Sequence, residues 1–264
     1  MTKRCIFCWD TAQLTREHIR ADWLKNYLPK TQVNYEAGHL TINRPGLPRS
    51  EKSRKIGGDP LSRRVKCVCE ACNTRWMKDI QDAAKPIVVP MIGGQRVPLR
   101  RPEQRTLAAW IAMSVMCSEF GKDQLQAISP ADRETLYRHK VPPKRNWQIW
   151  LGRYQRKVSA NEWDHRALLI LPAKKVSDGA TPDGRTHNTQ STTYTVGELF
   201  IHVVSSDWAK CISNFRVVQD RHLVRLWPRN GSPVVWPPAR ILSDEEAARI
   251  AAGFFDGLRR AGTR

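Results

Sequence analysis

No stretch of this 264-residue chain is apolar over the roughly 18 consecutive positions that a membrane-spanning helix requires. The most apolar run, Leu107 to Cys117, is shorter than that and predicts a buried helix. Met1 to Asp10 lacks the apolar segment of a secretory leader and instead carries Cys5 and Cys8, so a cytoplasmic protein away from membranes is expected. Acidic residues are in short supply: 25 Asp and Glu stand against 44 Lys and Arg, a formal charge of +19. That imbalance attracts polyanions through a field that salt screens, which makes nucleic acid the first partner to consider. No internal repeat is visible. The histidines His39, His139, His165, His187, His202 and His222 show no metal-ligand spacing.

What is present is enough apolar material to fold: hydrophobic residues make up 41% of the chain and ten are Trp. The length suits two units rather than one, because single cores stop growing near 250 residues. An α+β architecture is expected, with a first module over 1–85, a helical connector over 86–142 and an antiparallel β region with a C-terminal helix over 143–264. Ile19 to Leu28 has helical spacing before Pro29, and Thr31 to Lys66, broken by glycines and prolines, predicts loop with one hairpin. Helices are expected over Cys72 to Ala84, stopped by Lys85-Pro86, over Glu103 to Glu119, over Pro130 to Arg138 capped by Ser129, and from Ser243 onward. Strands are expected at Trp147 to Tyr154, Ala167 to Leu171, Thr192 to Val204, Phe215 to Val218 and Leu223 to Trp227. The polar stretch Lys174 to Gln190 predicts an exposed connection.

Seven cysteines are unevenly placed, five of them before residue 73. Cys5-x2-Cys8 and Cys69-x2-Cys72 are two pairs at i, i+3, a spacing that lets one turn aim both thiolates at a single tetrahedral zinc. Four sulfurs close the shell, so such a zinc is structural. Cys67 is a competing ligand two residues before Cys69, but it points off the knuckle turn, and Cys69 with Cys72 is the preferred pair. Cys117 and Cys211 read as buried structural thiols. Between the two pairs lies Arg16-Glu17-His18, and Asn73 follows the last ligand.

This combination resembles the HNH, or ββα-metal, endonucleases in their four-cysteine form, over residues 5 to 85. In that family a zinc knuckle brackets a strand bearing an acid–His pair, and an Asn or His follows the last Cys at the start of a helix. The resemblance implies that His18 is the general base, and that Glu17 and Asn73 ligate a catalytic Mg2+ or Mn2+ beside the structural Zn2+. Elementary chemistry agrees: a neutral imidazole accepts a proton near pH 7, and a hard cation prefers oxygen donors. Glu17 stands where Asp is commoner, and the middle Asn of the motif answers to Asn34 or Asn43, with Asn43 preferred. Each residue also has a plainer reading: His18 as a buried structural histidine, Glu17 as an acid at a helix start, and Asn73 as a helix N-cap.

Arg44 to Lys66 holds eight basic residues against Glu51 and Asp59. Lying between the cysteine pairs, Arg54, Lys55, Arg63, Arg64 and Lys66, with Arg75 beyond, are expected to hold a nucleic-acid backbone, double-stranded DNA by preference. The mixed stretch Arg145, Trp147, Trp150, Arg153, Tyr154 and Arg156 reads either as a nucleic-acid clamp or as strand core. An inactive zinc-knuckle module that binds nucleic acid, with a protein partner on the C-terminal region, is the competing reading of the whole.

Overall fold

The computed structural model describes residues 4–29, 34–42, 50–57, 59–121, 126–155, 163–168, 185, 187–208, 222–229 and 232–261; for 34–42, 50–57, 60 and 253–261 the backbone alone is described. The N-terminal knuckle leads into strand β1 (Leu14–His18), a short 3-10 helix (Asp22–Asn26) and a hairpin of β2 (Asn34–Ile42) and β3 (Ser50–Gly57). Then β4 (Arg64–Cys69) returns antiparallel to β1 and runs straight into helix α1 (Glu70–Cys72), a wide π turn (Asn73–Met77) and α2 (Lys78–Ile92). After β5 (Val97–Leu99) come α3 (Arg101–Ser118) and α4 (Pro130–His139). The rest is β6 (Trp147–Tyr154), β7 (Trp163–Leu168), β8 (Thr189–Val196), β9 (Leu199–Ser206), β10 (Leu223–Trp227), β11 (Val234–Trp236), β12 (Ile241–Leu242) and α5 (Asp244–Ala261).

The mixed α+β class is as expected, and the largest sheet runs β10-β6-β9-β8-β7-β2-β3, with β12 added beside β6. Its pairings are antiparallel except β2 on β7 and β12 on β6, which are parallel. The hairpin that starts between the two cysteine pairs therefore reaches into the same sheet as the C-terminal strands, at Thr41 opposite Ala167 and Ile42 opposite Leu168. Among the described residues, no helix is long and apolar enough to cross a membrane.

Three local expectations are corrected. The helix does not stop at Pro86 but continues to Ile92 with Pro86 and Pro90 inside it. Its buried stripe of Ile80, Ala84, Val88 and Met91 continues past the prolines, so packing on α3 outweighs the missing N–H groups. Thr192 to Val204 is not one strand but the hairpin of β8 and β9, turned at Gly197, whose φ of +60° is open to glycine at little cost. There a Cβ would lie 2.4 Å from the Ile92 carbonyl oxygen. The end of the polar connection is not exposed: His187, Asn188, Thr189 and Gln190 are buried, with Thr189 bonded to Ser206 and Gln190 to Ser205. Apart from Arg185, which pairs with Asp207, the remainder of that connection and the strand expected at Phe215 to Val218 lie outside the described residues.

α3 is buried on all sides from Leu107 to Ser118 and packs on α2, α4, β4, β5 and β10, which makes it the axis of the core. Ser129 caps α4 as expected, its Oγ accepting from the Asp132 N–H at 3.1 Å. Ser243 and Glu246 form a reciprocal capping box at the start of α5. The Trp147–Tyr154 strand takes its core reading: Trp147 is fully buried and donates to Asp132, Tyr154 donates to Asp244, and Arg153 pairs with Glu198. Arg156 lies outside the described residues.

Candidate metal centre and its acid–histidine neighbour

The two cysteine pairs meet. Sulfurs of Cys5, Cys8, Cys69 and Cys72 all lie within 4.8 Å of one another, with Cys8 and Cys69 at 3.5 Å. Tetrahedral zinc at a Zn–S length of ~2.3 Å would set them ~3.8 Å apart, so the donor set and its spread fit that ion. Backbone bonds fix the first pair: Trp9 N–H donates to the Cys5 carbonyl and Cys5 N–H to that of Asp10. The knuckle closes with Trp9 at φ 63°, an uncommon conformation for a bulky residue, and leaves its ring exposed. The second pair is fixed by the change from strand to helix, Cys69 ending β4 and Cys72 lying one turn on.

Four sulfurs packed together divide their protons unevenly. The Cys72 thiol donates to Cys5 and holds it down to about 4, and that same bond, with burial, pushes Cys72 up. Burial raises Cys8 to about 11. A divalent cation would relieve this conflict by favouring thiolate at every position.

Cys67 is left out of the cluster for a reason found in the register. Thr15 pairs with Val68 and Arg16 with Lys66, so Cys67 is the extra residue of a β-bulge. Its carbonyl accepts from Ile6 N–H at 3.0 Å, tying the knuckle to β4, and its thiol meets that of Cys117 on α3. Cys117 is buried as expected, and Cys211 lies outside the described residues.

Glu17 and His18 sit next to each other on β1 and so point to opposite faces. Glu17 is buried against the helix that follows the cluster: Gln81 Nε2 donates to its Oε1 at 3.0 Å, and the Asn73 side chain also bonds to the carboxyl. Asn73 Nδ2 donates to Thr15 Oγ1 at 3.1 Å. Burial pushes the Glu17 carboxyl up to about 7, against the pull of the bonds from Gln81, the His18 backbone and Asn73. Asn73 does not serve as the helix N-cap, because the helix already starts at Glu70.

On the other face, His18 Nε2 accepts from Arg64 Nε at 2.8 Å, and Asp22 Oδ1 lies 3.1 Å from the same nitrogen. Burial lowers the His18 pKa, Asp22 opposes that shift, and Arg64 and Lys25 add to it, so the ring is neutral at pH 7 with Nε2 as acceptor. Lys25 also pairs with Asp22.

Of the expected backbone-binding residues, Arg64 is exposed and engaged with His18. Lys66 is exposed opposite Arg16, and Arg75 is exposed in the π turn. Arg63 is half-buried, its guanidinium crowding Gly121. Arg54 and Lys55 lie on β3 opposite Ala37 and Glu36, and their side chains are outside the described residues. Asn34 begins β2, and Asn43 is outside the described residues.

Gln81 and Asp22 escape a reading of the sequence for motifs. Each carries a faint signal: Gln81 lies two helical turns beyond Asn73, and Asp22 lies four residues after His18. No family model, curated protein or solved structure matches the chain.

Proposed function

We propose that this chain is a metal-dependent endonuclease of the HNH type, a ββα-metal hydrolase of phosphodiester bonds acting on DNA. The observation that carries the proposal is the convergence of Glu17 and Asn73, 56 positions apart, on one hydrogen-bonded patch beside a four-sulfur cluster, with His18 next in the strand. Glu17 and Asn73 would hold Mg2+ or Mn2+. A carboxyl whose ionisation burial opposes is a group that a cation returns to its charged form, and the Asn73 amide, now donating, would turn its oxygen to the ion. When bound, that ion supplies positive charge to the scissile phosphate and its leaving oxygen.

His18 is the general base, neutral at pH 7 and poised to take a proton from water through Nε2. Arg64 occupies that nitrogen, so a phosphate that draws the guanidinium to itself frees the base. Asp22, at 3.1 Å, then accepts the new Nε2–H and stabilises the imidazolium. Zinc at the four cysteines would hold the strand and helix in place and take no part in the reaction.

The engaged His18 and the closed-off Glu17 favour a second reading, an inactive zinc-knuckle module that binds nucleic acid, in which Arg64 and Gln81 are permanent partners. Nicking of supercoiled plasmid at low salt, with and without Mg2+ or Mn2+, separates the two. Wild type is expected to nick only with the metal, and His18→Ala to lose about 10² to 10⁴ in rate while keeping its zinc. A His18→Ala protein as active as wild type removes the base from the proposal, and a zinc-loaded wild type that binds but never nicks selects the second reading.

A further inference from the structure

A groove of about 570 Å³ opens between α2, the start of α3 and the end of α4, with Trp76, Ile80 and Ala109 among its lining. Its other lining residues include Arg101, Arg105 and Lys140 against one acid, Asp79. Arg101 and Arg105 are exposed, stand one helical turn apart and form no ion pair with any described residue. Two guanidinium groups set side by side over apolar lining thus share the groove with a single carboxylate among its lining residues. Lys140 is held differently: it sits at the end of α4 with φ 54°, its ammonium 4.5 Å from the centre of the Trp76 ring and 4.6 Å from that of Tyr137. Trp76 packs edge-on against Phe7 of the zinc knuckle, so one wall of the groove is continuous with the cluster.

We propose that this groove is a second nucleic-acid contact, which holds a stretch of phosphodiester backbone away from the Glu17–His18 patch. The proposal rests on the reading of the chain as a nucleic-acid enzyme and adds to it a surface that the cysteine and acid–histidine motifs do not touch. Charge complementarity identifies the occupant. Arg101 and Arg105 are ~6 Å apart along α3, close to two axial rises of ~3.4 Å, the separation along the helix axis of alternate phosphates on one strand. The apolar lining suits sugar and base faces beneath those phosphates and offers a bare inorganic anion few donors. The groove is also built on α2, the helix that carries Gln81, so a strand lying in it is registered to the proposed centre by a rigid element.

The test is fluorescence anisotropy with a labelled DNA duplex several turns long, over about 50 to 200 mM salt. It compares wild type with Arg101→Gln/Arg105→Gln, with zinc content and circular dichroism measured on each. Both arginines are exposed and pair with none of the described residues, so the double variant is expected to fold and keep its zinc. It should bind more weakly on unrelated sequences alike, with the slope of log K against log salt reduced by about two. A double variant with unchanged affinity and slope overturns the groove as a contact and leaves the endonuclease reading standing. A wild type that binds no duplex removes both. Poly-glutamate bound by wild type and lost by the double variant, with DNA binding unchanged, makes the groove a protein-docking surface and overturns the proposal.

Discussion

At Glu17 burial and chemistry pull against each other. Its carboxyl titrates near 7 in the folded chain, where an unfolded glutamate titrates near 4.3. A raised carboxyl favours the fold fully below the unfolded pKa, and that contribution is lost as pH rises through the folded pKa. Without added divalent ions, Glu17→Gln is therefore expected to be more stable than wild type at pH 8 by about 3 kcal/mol and equal to it at pH 4, as read from urea denaturation. Equal stabilities at both pH values would show that Glu17 is not desolvated in solution. At this scale the sequence is informative where spacing is local. Two i, i+3 cysteine pairs and an adjacent Glu–His pair are legible because one turn or one strand decides their geometry. The exclusion of Cys67 depends on a bulge, and the Gln81 bond on how α2 lies over β1; neither is written in local spacing.

Among the elements, α3, α4 and the sheet are joined at one fully buried ion pair. Glu119, at the end of α3, accepts from the N–H groups of Ala127 and Ile128 and from Arg133 Nη2 of α4 at 3.0 Å, with His165 Nε2 of β7 at 3.6 Å. Glu119→Gln is expected to cost about 3 to 5 kcal/mol, because it strands the Arg133 charge in the core. Adding Arg133→Met should restore most of that loss in the same denaturation measurement, and a single variant as stable as wild type would mean that solvent reaches the site. The regular elements follow from pattern: β6, β10 and α4 fall where periodicity and capping put them, to within a residue. The misses have separate physical causes. The two-residue turn at Gly197 was hidden inside one apolar–polar run, and the prolines of α2 are overridden by a stripe that stays apolar on both sides of them.

In the molecule as a whole, the cysteine cluster is a cross-link between the knuckle and the strand–helix corner, while most of the apolar core lies elsewhere. Chelation of its metal is expected to release one zinc per chain and to expose the amides of β1, β4 and the start of α2 to hydrogen exchange, with those of β6, β8 and β9 still protected. Exchange that is unchanged by chelation would show that the fold does not lean on the ion. The cross-link spans 61 positions from Cys8 to Cys69, and within that span the chain travels out to the β2–β3 hairpin and back. Closing a loop grows costlier only with the logarithm of its length, about 0.6 kcal/mol for each doubling. Lengthening the chain between the two cysteine pairs thus costs the clasp little, and proteins built on the same clasp need share neither that length nor the distance between their two pairs of cysteines.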